Sequence, residues 1–508
     1  MPTMFNALEW SMERMLSGRY GYCYDWRMIF DAVPFRETLS SSDIKARALG
    51  ALSEYLEKSL GVKVVKDLRS IPFSRLDILE PLTLAALLKK HGVIQSFGPV
   101  KNLWPDLPRT KGWYAICNDP TSHNVGGTSW EDDESALYAA LAEALERYIW
   151  MTQDDYFMSP KRATSEAISA IGPRVAPEDF VGFSDEQRTR HPQRQLRPDA
   201  EYLWIQGTSL VSGERIYVPA QTVSGVRPRA MTGGTEEPII RQQNTNGLAT
   251  WPTQNGARLA GALEVIERDA YMMMWFNQLT LPRLALDPLC AKYPSLARAI
   301  AQCERYQFKT HVLQLPTDAP THAVAVVIED IGGNAPRFVV GLKAHQSLPY
   351  AIEKAMTEAL RAYRAHSLWT GAGNVWDMRT PSEKIGHRER LYYWGVPENA
   401  KHLEFMIRGP EIEIGDKAWD IDTVEEHYER VVQWCKDSHL ECISVPLTSS
   451  AKNPSSLHIE MVIMPKLQPT YLNEWVQQFG GTRWHDIPKA LGYTPLSKPF
   501  ADRPHPFS

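Results

Sequence analysis

A chain of 508 residues and 57.6 kDa is roughly three to four times the size of one domain, so it buries a large core without disulfide staples. Apolar residues at 43% against 23% charged exclude a disordered or fibrous chain. With 60 acidic and 55 basic residues the net charge is −5, which excludes whole-surface attraction to nucleic acid or an anionic membrane.

Residues 1–19 scatter Glu9, Glu13 and Arg14 among apolar positions, unlike a signal peptide, and no segment approaches the roughly 20 apolar residues of a membrane span. Cys23, Cys117, Cys290, Cys303, Cys435 and Cys442 form no C-x-x-C pair and read as reduced thiols in a cytoplasm. Residues 1–92 read as a helix-rich N-terminal region. Asp43 caps a run with Ala46, Leu49, Leu52 and Leu56 at helical spacing, residues 62–65 are a short strand, and the helical pattern of 82–90 stops at Gly92. Residues 93–508 read as one mixed α/β body, with strands at 113–117, 202–205, 216–218, 321–328, 338–342 and 457–464 between Ala-rich helices. Polar stretches at 172–200 and 225–243 read as long loops, and 371–420 as an irregular segment with enough aromatic residues to pack.

An internal repeat carries the chemistry. Ala139-Ala-Leu-Ala-Glu143-Ala-Leu-Glu146-Arg147 matches Ala260-Gly-Ala-Leu-Glu264-Val-Ile-Glu267-Arg268, 121 residues further on, which suggests two related α/β halves. On a helix, Glu143 lies beside Glu146 and Glu264 beside Glu267. A single Glu-x-x-Glu-Arg is usually a solvated face, but both copies sit among Ala, Leu, Val and Ile, and the second runs into Tyr271-Met-Met-Met-Trp275-Phe276. Paired carboxylates in apolar helices need a cation, and oxygen ligands without sulfur or imidazole suit Mg2+. A weaker third copy is Ala355-Met-Thr-Glu358-Ala-Leu-Arg361, which alone reads as an ordinary surface helix. Glycines precede both helices, at Gly126-Gly127 and Asn246-Gly247, where backbone could approach a phosphate. The chain has no P-loop and no G-x-G-x-x-G, G-x-S-x-G or H-E-x-x-H.

The paired helices, Asn246-Gly-Leu-Ala249, residues 203–220 and 462–465, and the terminal Pro504-His-Pro-Phe-Ser508 together resemble the YcaO family, in particular its azoline-forming cyclodehydratases, over residues 93–508. The resemblance implies a YcaO-like fold that binds ATP and Mg2+ between acidic helices. It implies attack of a Cys, Ser or Thr side chain of a ribosomal precursor peptide on the preceding carbonyl, followed by phosphorylation of the oxyanion and loss of phosphate to give thiazoline or oxazoline. By position, Glu143, Glu146, Glu264 and Glu267 hold Mg2+. Arg147, Ala249, Arg268 and Arg361 join them in the nucleotide site, and Pro504 and Pro506 carry the terminal motif into the catalytic centre. A ubiquitin-activating-like leader-binding protein and a homodimer are the implied partners, with no nucleic acid or membrane.

Three positions depart from the family pattern. Gly256 replaces an acidic metal ligand before Ala257, Arg361 replaces a glutamine, and Ser508 replaces the last proline. They keep a degenerate, leader-binding scaffold open as an alternative, and a thioamide- or amidine-forming enzyme is a further one.

Overall fold

Pro81 opens helix α1 (Pro81–Lys90), which buries Leu84, Ala85 and Leu88 and stops at Gly92, whose φ of 70° favours glycine. The computed structural model describes residues 80–100, 110–130, 132–152, 160–225, 237–242, 244–371, 385–387, 389–447 and 453–507. The Asp43-capped helix, the strand at 62–65, Cys23 and most of the 225–243 loop lie outside them. The chain divides into two units, Met1–Arg75 with Ser367–Val375, and Leu76–His366 with Trp376–Ser508. The second is the mixed α/β body, and all six strands expected from the sequence are present in it.

Three sheets build this unit. The first is antiparallel β1 (Ile94–Pro99), β2 (Lys111–Cys117) and β3 (Asn124–Ser129), covered by helix α2 (Asp133–Thr152) through Ala136, Leu137, Ala140, Leu141, Ala144 and Leu145. The second runs β11-β10-β9-β8-β12, with β8 (Arg283–Leu284), β9 (Phe308–Gln314), β10 (His322–Asp330), β11 (Phe338–His345) and β12 (Glu411–Ile412). The third runs β4-β5-β13-β14-β7, with β6 (Arg215–Pro219) paired to β5. Its members are β4 (Lys161–Thr164), β5 (Glu201–Ser209), β7 (Leu248–Trp251), β13 (Ile443–Pro446) and β14 (His458–Ile463).

Helix α3 (Gln254–Asn277) packs against β7 and β14 of the third sheet and β10 and β11 of the second. Thr253 caps it by accepting the Gly256 amide at 3.1 Å, and Gln278 ends it in left-handed backbone. Its residues 271–276 are all within 1% of full burial, each large side chain contributing about 1.5–3 kcal/mol. Strand β10 shows why its sequence is continuously apolar rather than alternating. Ala323, Ala325 and Val327 join the α3 core, while Val324, Val326 and Ile328 face helix α4 (Pro294–Arg305) and helix α5 (Leu348–Gly371) on the other side.

Residues 172–200 correct the loop expectation, because they carry short helices at Pro177–Asp179, Asp185–Arg190 and Pro192–Arg194. Ser184 and Gln187 exchange capping bonds, and the Arg194 guanidinium lies 4.0 Å from the Phe183 ring centroid. Such local order has no hydrophobic period by which a sequence could announce it. The described part of the 371–420 segment packs as expected, through Trp394, Leu403 and Met406.

Gly127 is required where β3 meets α2. A Cβ there would lie 2.0 Å from the Ala136 carbonyl oxygen and 2.5 Å from the Ala140 amide. Backbone on both sides cannot yield cheaply, so we expect Gly127→Ala to destabilise the protein by about 3 kcal/mol. A lowered thermal midpoint checks this, and an unchanged midpoint contradicts it.

Candidate functional site

The two repeated helices bring their charged side chains within electrostatic reach of one another. On α2, Arg147 Nη2 lies 3.7 Å from Glu143 Oε1, and the pKa of Arg147 is raised: burial opposes its charge, but Glu146, Glu143 and Glu264 together outweigh it. Glu264 of α3 therefore stands within electrostatic reach of the α2 pair. Glu146 is pushed up to about 8, first by burial and then, against Arg147, by Glu143 and Glu264. Glu143 keeps 30% of its side-chain surface, Arg147 22% and Glu264 26%, which marks a solvent-reached cleft rather than a sealed core.

The second end of the cleft is tied to backbone. Strand β11 is an edge strand, and its alternate outward amides at Leu342 and Ala344 donate 2.8 Å bonds to Glu358 and Glu267 respectively. Gly247, with φ at 90°, donates to Glu264 at 3.4 Å. Arg268 sits between, 2.8 Å from Glu267 and 3.5 Å from Glu264, and Lys343 Nζ is 3.9 Å from Glu267. Burial raises the pKa of Glu264 and of Glu358, with Glu267 adding to both and Arg268 opposing.

The carboxyl-terminal segment enters here. Residues 504–507 are buried, and the Phe507 ring centroid lies 4.2 Å from the Arg268 guanidinium. Phe507 N donates to the Tyr271 hydroxyl at 3.3 Å. His505 is held neutral by burial and by Arg390, so its Nε2 donates to the Tyr471 carbonyl at 3.0 Å while Nδ1 has no partner among the described residues.

The structure thus gathers Glu143, Glu146, Arg147, Glu264, Glu267 and Arg268, and seats Phe507 against Arg268, with Pro504 and Pro506 buried in the same terminal segment. Ala249 is buried on β7 opposite Glu460. Arg361 is exposed on α5, one turn beyond Glu358, whose ionised form its charge favours. Asp269, adjacent in sequence, belongs elsewhere: it accepts from Gln468 N at 2.7 Å and pairs with Arg483 at 2.9 Å.

One sequence expectation changes, and two are refined. The helix bearing Glu358 is not an ordinary surface helix, because Ala351, Ile352, Ala355, Met356 and Ala359 are buried and Glu358 joins the cleft. Its echo of the Glu repeat was the signal, and Phe507 lay within the terminal motif, whereas Lys343 had none beyond its position. Gly127 and Gly247 are also required by packing: a Cβ on Gly247 would lie 2.1 Å from the Val462 carbonyl oxygen. At Gly256 a Cβ would lie 1.9 Å from Trp251 Cδ1, so an indole fills the space a carboxylate side chain would enter.

The donor set fits Mg2+ with a triphosphate. Among the described residues no three carboxylate, imidazole or thiol groups form a self-sufficient metal cage. Mg2+ needs only one or two carboxylates when water and phosphate oxygens complete its shell. Glu146 is desolvated and repelled by Glu143 and Glu264, and Glu264 and Glu358 are desolvated and each repelled by Glu267, so a cation would neutralise charge that the protein crowds here.

An acidic cleft between helices, without a phosphate loop, defines an unusual class of nucleotide-binding protein. The chain belongs to the YcaO family: residues 130–468 match the model for YcaO cyclodehydratases, which bind ATP and Mg2+. It is similar to a heterocyclase solved with substrate and cofactor (20% identity, TM-score 0.62), covering 82% of this chain and 57% of that one. YcaO from Methanopyrus kandleri, bound with AMPPCP and Mg2+, gives 18% identity and TM-score 0.55, over 77% of this chain and 91% of that one. The E. coli microcin synthetase complex with pro-MccB17 bound gives 12% and 0.54, over 80% and 96%. These likenesses share the mixed α/β fold, and the chain spans little more than half of the heterocyclase. No described helix is long and apolar enough to cross a membrane.

In the cation-free protein Glu146 contributes stability that is complete below its unfolded value of 4.5 and is lost as pH rises through about 8. At pH 7 it is mostly protonated, so binding of Mg-ATP should expel a proton. Calorimetry in buffers of different ionisation enthalpy should show proton release at pH 7 that fades at pH 9, and no buffer dependence would contradict it.

Proposed function

We propose that the chain is an ATP-dependent cyclodehydratase of a ribosomal peptide, converting Cys, Ser or Thr to an azoline. The observation that supports this most is the seating of the terminal segment on Arg268, which itself pairs with Glu264 and Glu267. One cleft then serves both nucleotide and peptide chemistry. Glu143, Glu146, Glu264 and Glu267 would hold Mg2+, whose role is to neutralise triphosphate charge. Arg147 and Arg268 pair with carboxylates of their own helices and would face the anionic cosubstrate.

The peptide side chain gives up its thiol or hydroxyl proton to solvent as it adds to the preceding carbonyl carbon, and the resulting oxyanion takes the γ-phosphoryl group of ATP as ADP leaves. The carbon–oxygen bond then breaks, phosphate departs, and loss of the amide proton leaves the ring C=N bond. Amide oxygen is a poor leaving group, and phosphorylation remedies that. The buried, neutral terminal segment keeps water away from this sequence and narrows the peptide's approach. A leader-binding protein with a ubiquitin-activating-like fold is the proposed partner, and a homodimer a second assembly.

A scaffold without catalysis is the second reading, favoured by one observation: Trp251 occupies the space beside Gly256. Phosphate release with peptide and partner separates the two, since turnover by the native chain excludes the scaffold and its absence excludes the enzyme.

We expect Glu264→Gln with Glu267→Gln to weaken Mg-ATP binding by at least about ten-fold, since each carboxylate is worth more than about 1.4 kcal/mol there. Unchanged affinity moves the nucleotide elsewhere. Deleting residues 504–508 should abolish loss of water from the peptide, read by mass spectrometry, while ATP affinity stays within about two-fold. Normal cyclisation by the truncated chain would contradict the role given to the terminus.

A further inference from the structure

We propose that Arg390 is a positioning residue whose guanidinium fork holds the carboxyl-terminal segment in the cleft. The inference rests on the reading that this segment works at the acidic site. Arg390 begins helix α6 (Glu389–Gly395), far from the nucleotide carboxylates in sequence, and is 1% exposed. Its three nitrogens reach three acceptors on two chain segments, residues 471–474 and the terminus. Nε donates to Glu474 Oε1 at 3.0 Å, Nη2 to the Tyr471 carbonyl at 2.8 Å, and Nη1 to the Phe507 carbonyl at 3.4 Å.

The Tyr471 carbonyl is shared, because it also accepts His505 Nε2. Arg390 and His505 are thereby joined through one oxygen, and the terminus is gripped at two points. The other side of Phe507 is held by Tyr271, three residues beyond Arg268 on α3. Fixed at its N–H by α3 and at its carbonyl by Arg390, Phe507 has little freedom except to lie against Arg268. A line of contacts therefore runs from Arg390 through Phe507 to Arg268 and on to Glu264 and Glu267.

The pair with Glu474 does not by itself account for burying a guanidinium. Matched apolar residues commonly replace a buried ion pair at no loss of stability. Apolar residues could not donate to two carbonyls while meeting a carboxylate, and neither could lysine, which is a point charge without a planar fork. Glu474 neutralises the guanidinium, and Gln477 in turn orients Glu474 at 2.8 Å.

The test uses the full chain. Arg390→Lys keeps the charge facing Glu474 and loses the fork. Should it fail to fold, Arg390→Met with Glu474→Gln removes both charges together. Carboxypeptidase should release the terminal residues about ten-fold or more faster than from the native chain, the loss of a charged hydrogen bond having that effect on an opening equilibrium. The 19F resonance of 4-fluorophenylalanine placed at position 507 should move toward the position of free peptide. Mg-ATP affinity should hold, and kcat for the peptide should fall with KM for ATP unchanged, a split that general loss of structure does not give. Equal digestion and an unmoved 19F signal in a folded variant would overturn the clamp. Release of the tail with kcat unchanged would overturn its part in the reaction. If the native chain itself shows no turnover, the proposed activity fails while digestion and 19F still decide the clamp.

Discussion

The site depends on carboxylates held in a water-poor cleft by groups that cannot follow a ligand away. Backbone amides of Leu342, Ala344 and Gly247 fix Glu358, Glu267 and Glu264, and the arginines at the ends of the two repeats hold them apart. Backbone donors do not titrate or swing, so the acidic groups keep their positions whether or not a cation is near. The outward amides of an edge strand would otherwise invite another strand, and here they are spent on the site. Much of the rest of the second unit serves that arrangement. Helix α3 must be apolar on nearly every side because two sheets clasp it, and that burial is what raises the pKa of Glu264.

How far the sequence revealed this depended on the physical origin of each feature. The repeat was legible because helical spacing places Glu143 and Glu146, and Glu264 and Glu267, on common faces, and because apolar flanks distinguish a cleft from a solvated surface. Strands were legible where both faces are buried, as in β10, or where they alternate. Glu358 was half visible: its helix echoes the repeat, but only β11 running alongside shows that its carboxylate faces Arg268 rather than solvent. Lys343, Trp251 and Arg390 carried no local pattern, since each acquires its place from segments far away in the chain. Gly127 and Gly247 carry a further constraint with no sequence signature, since a Cβ on either would strike backbone of the neighbouring element.

The terminal segment and the indole at Gly256 pull the functional reading in opposite directions. Residues 504–507 are buried and tethered at His505 and Phe507, which costs chain entropy that a purely inert end would have no reason to give up. Trp251 removes room for a ligand, yet leaves Glu143, Glu146, Glu264 and Glu267 facing the cleft. A site with fewer carboxylates and more arginine can still carry the same net positive charge opposite a triphosphate. On that balance the catalytic reading is the one that uses all of the ordered groups.

The most direct measurement is diffraction from crystals grown with Mn2+ and a non-hydrolysable ATP analogue, collected at the manganese edge. The account predicts anomalous peaks between the helices carrying Glu143, Glu146, Glu264 and Glu267, with the triphosphate against Arg147 and Arg268 and the Phe507 ring still beside the latter. Nucleotide or metal bound at another surface of the protein, with those carboxylates making only their present contacts to arginine and backbone, would contradict it.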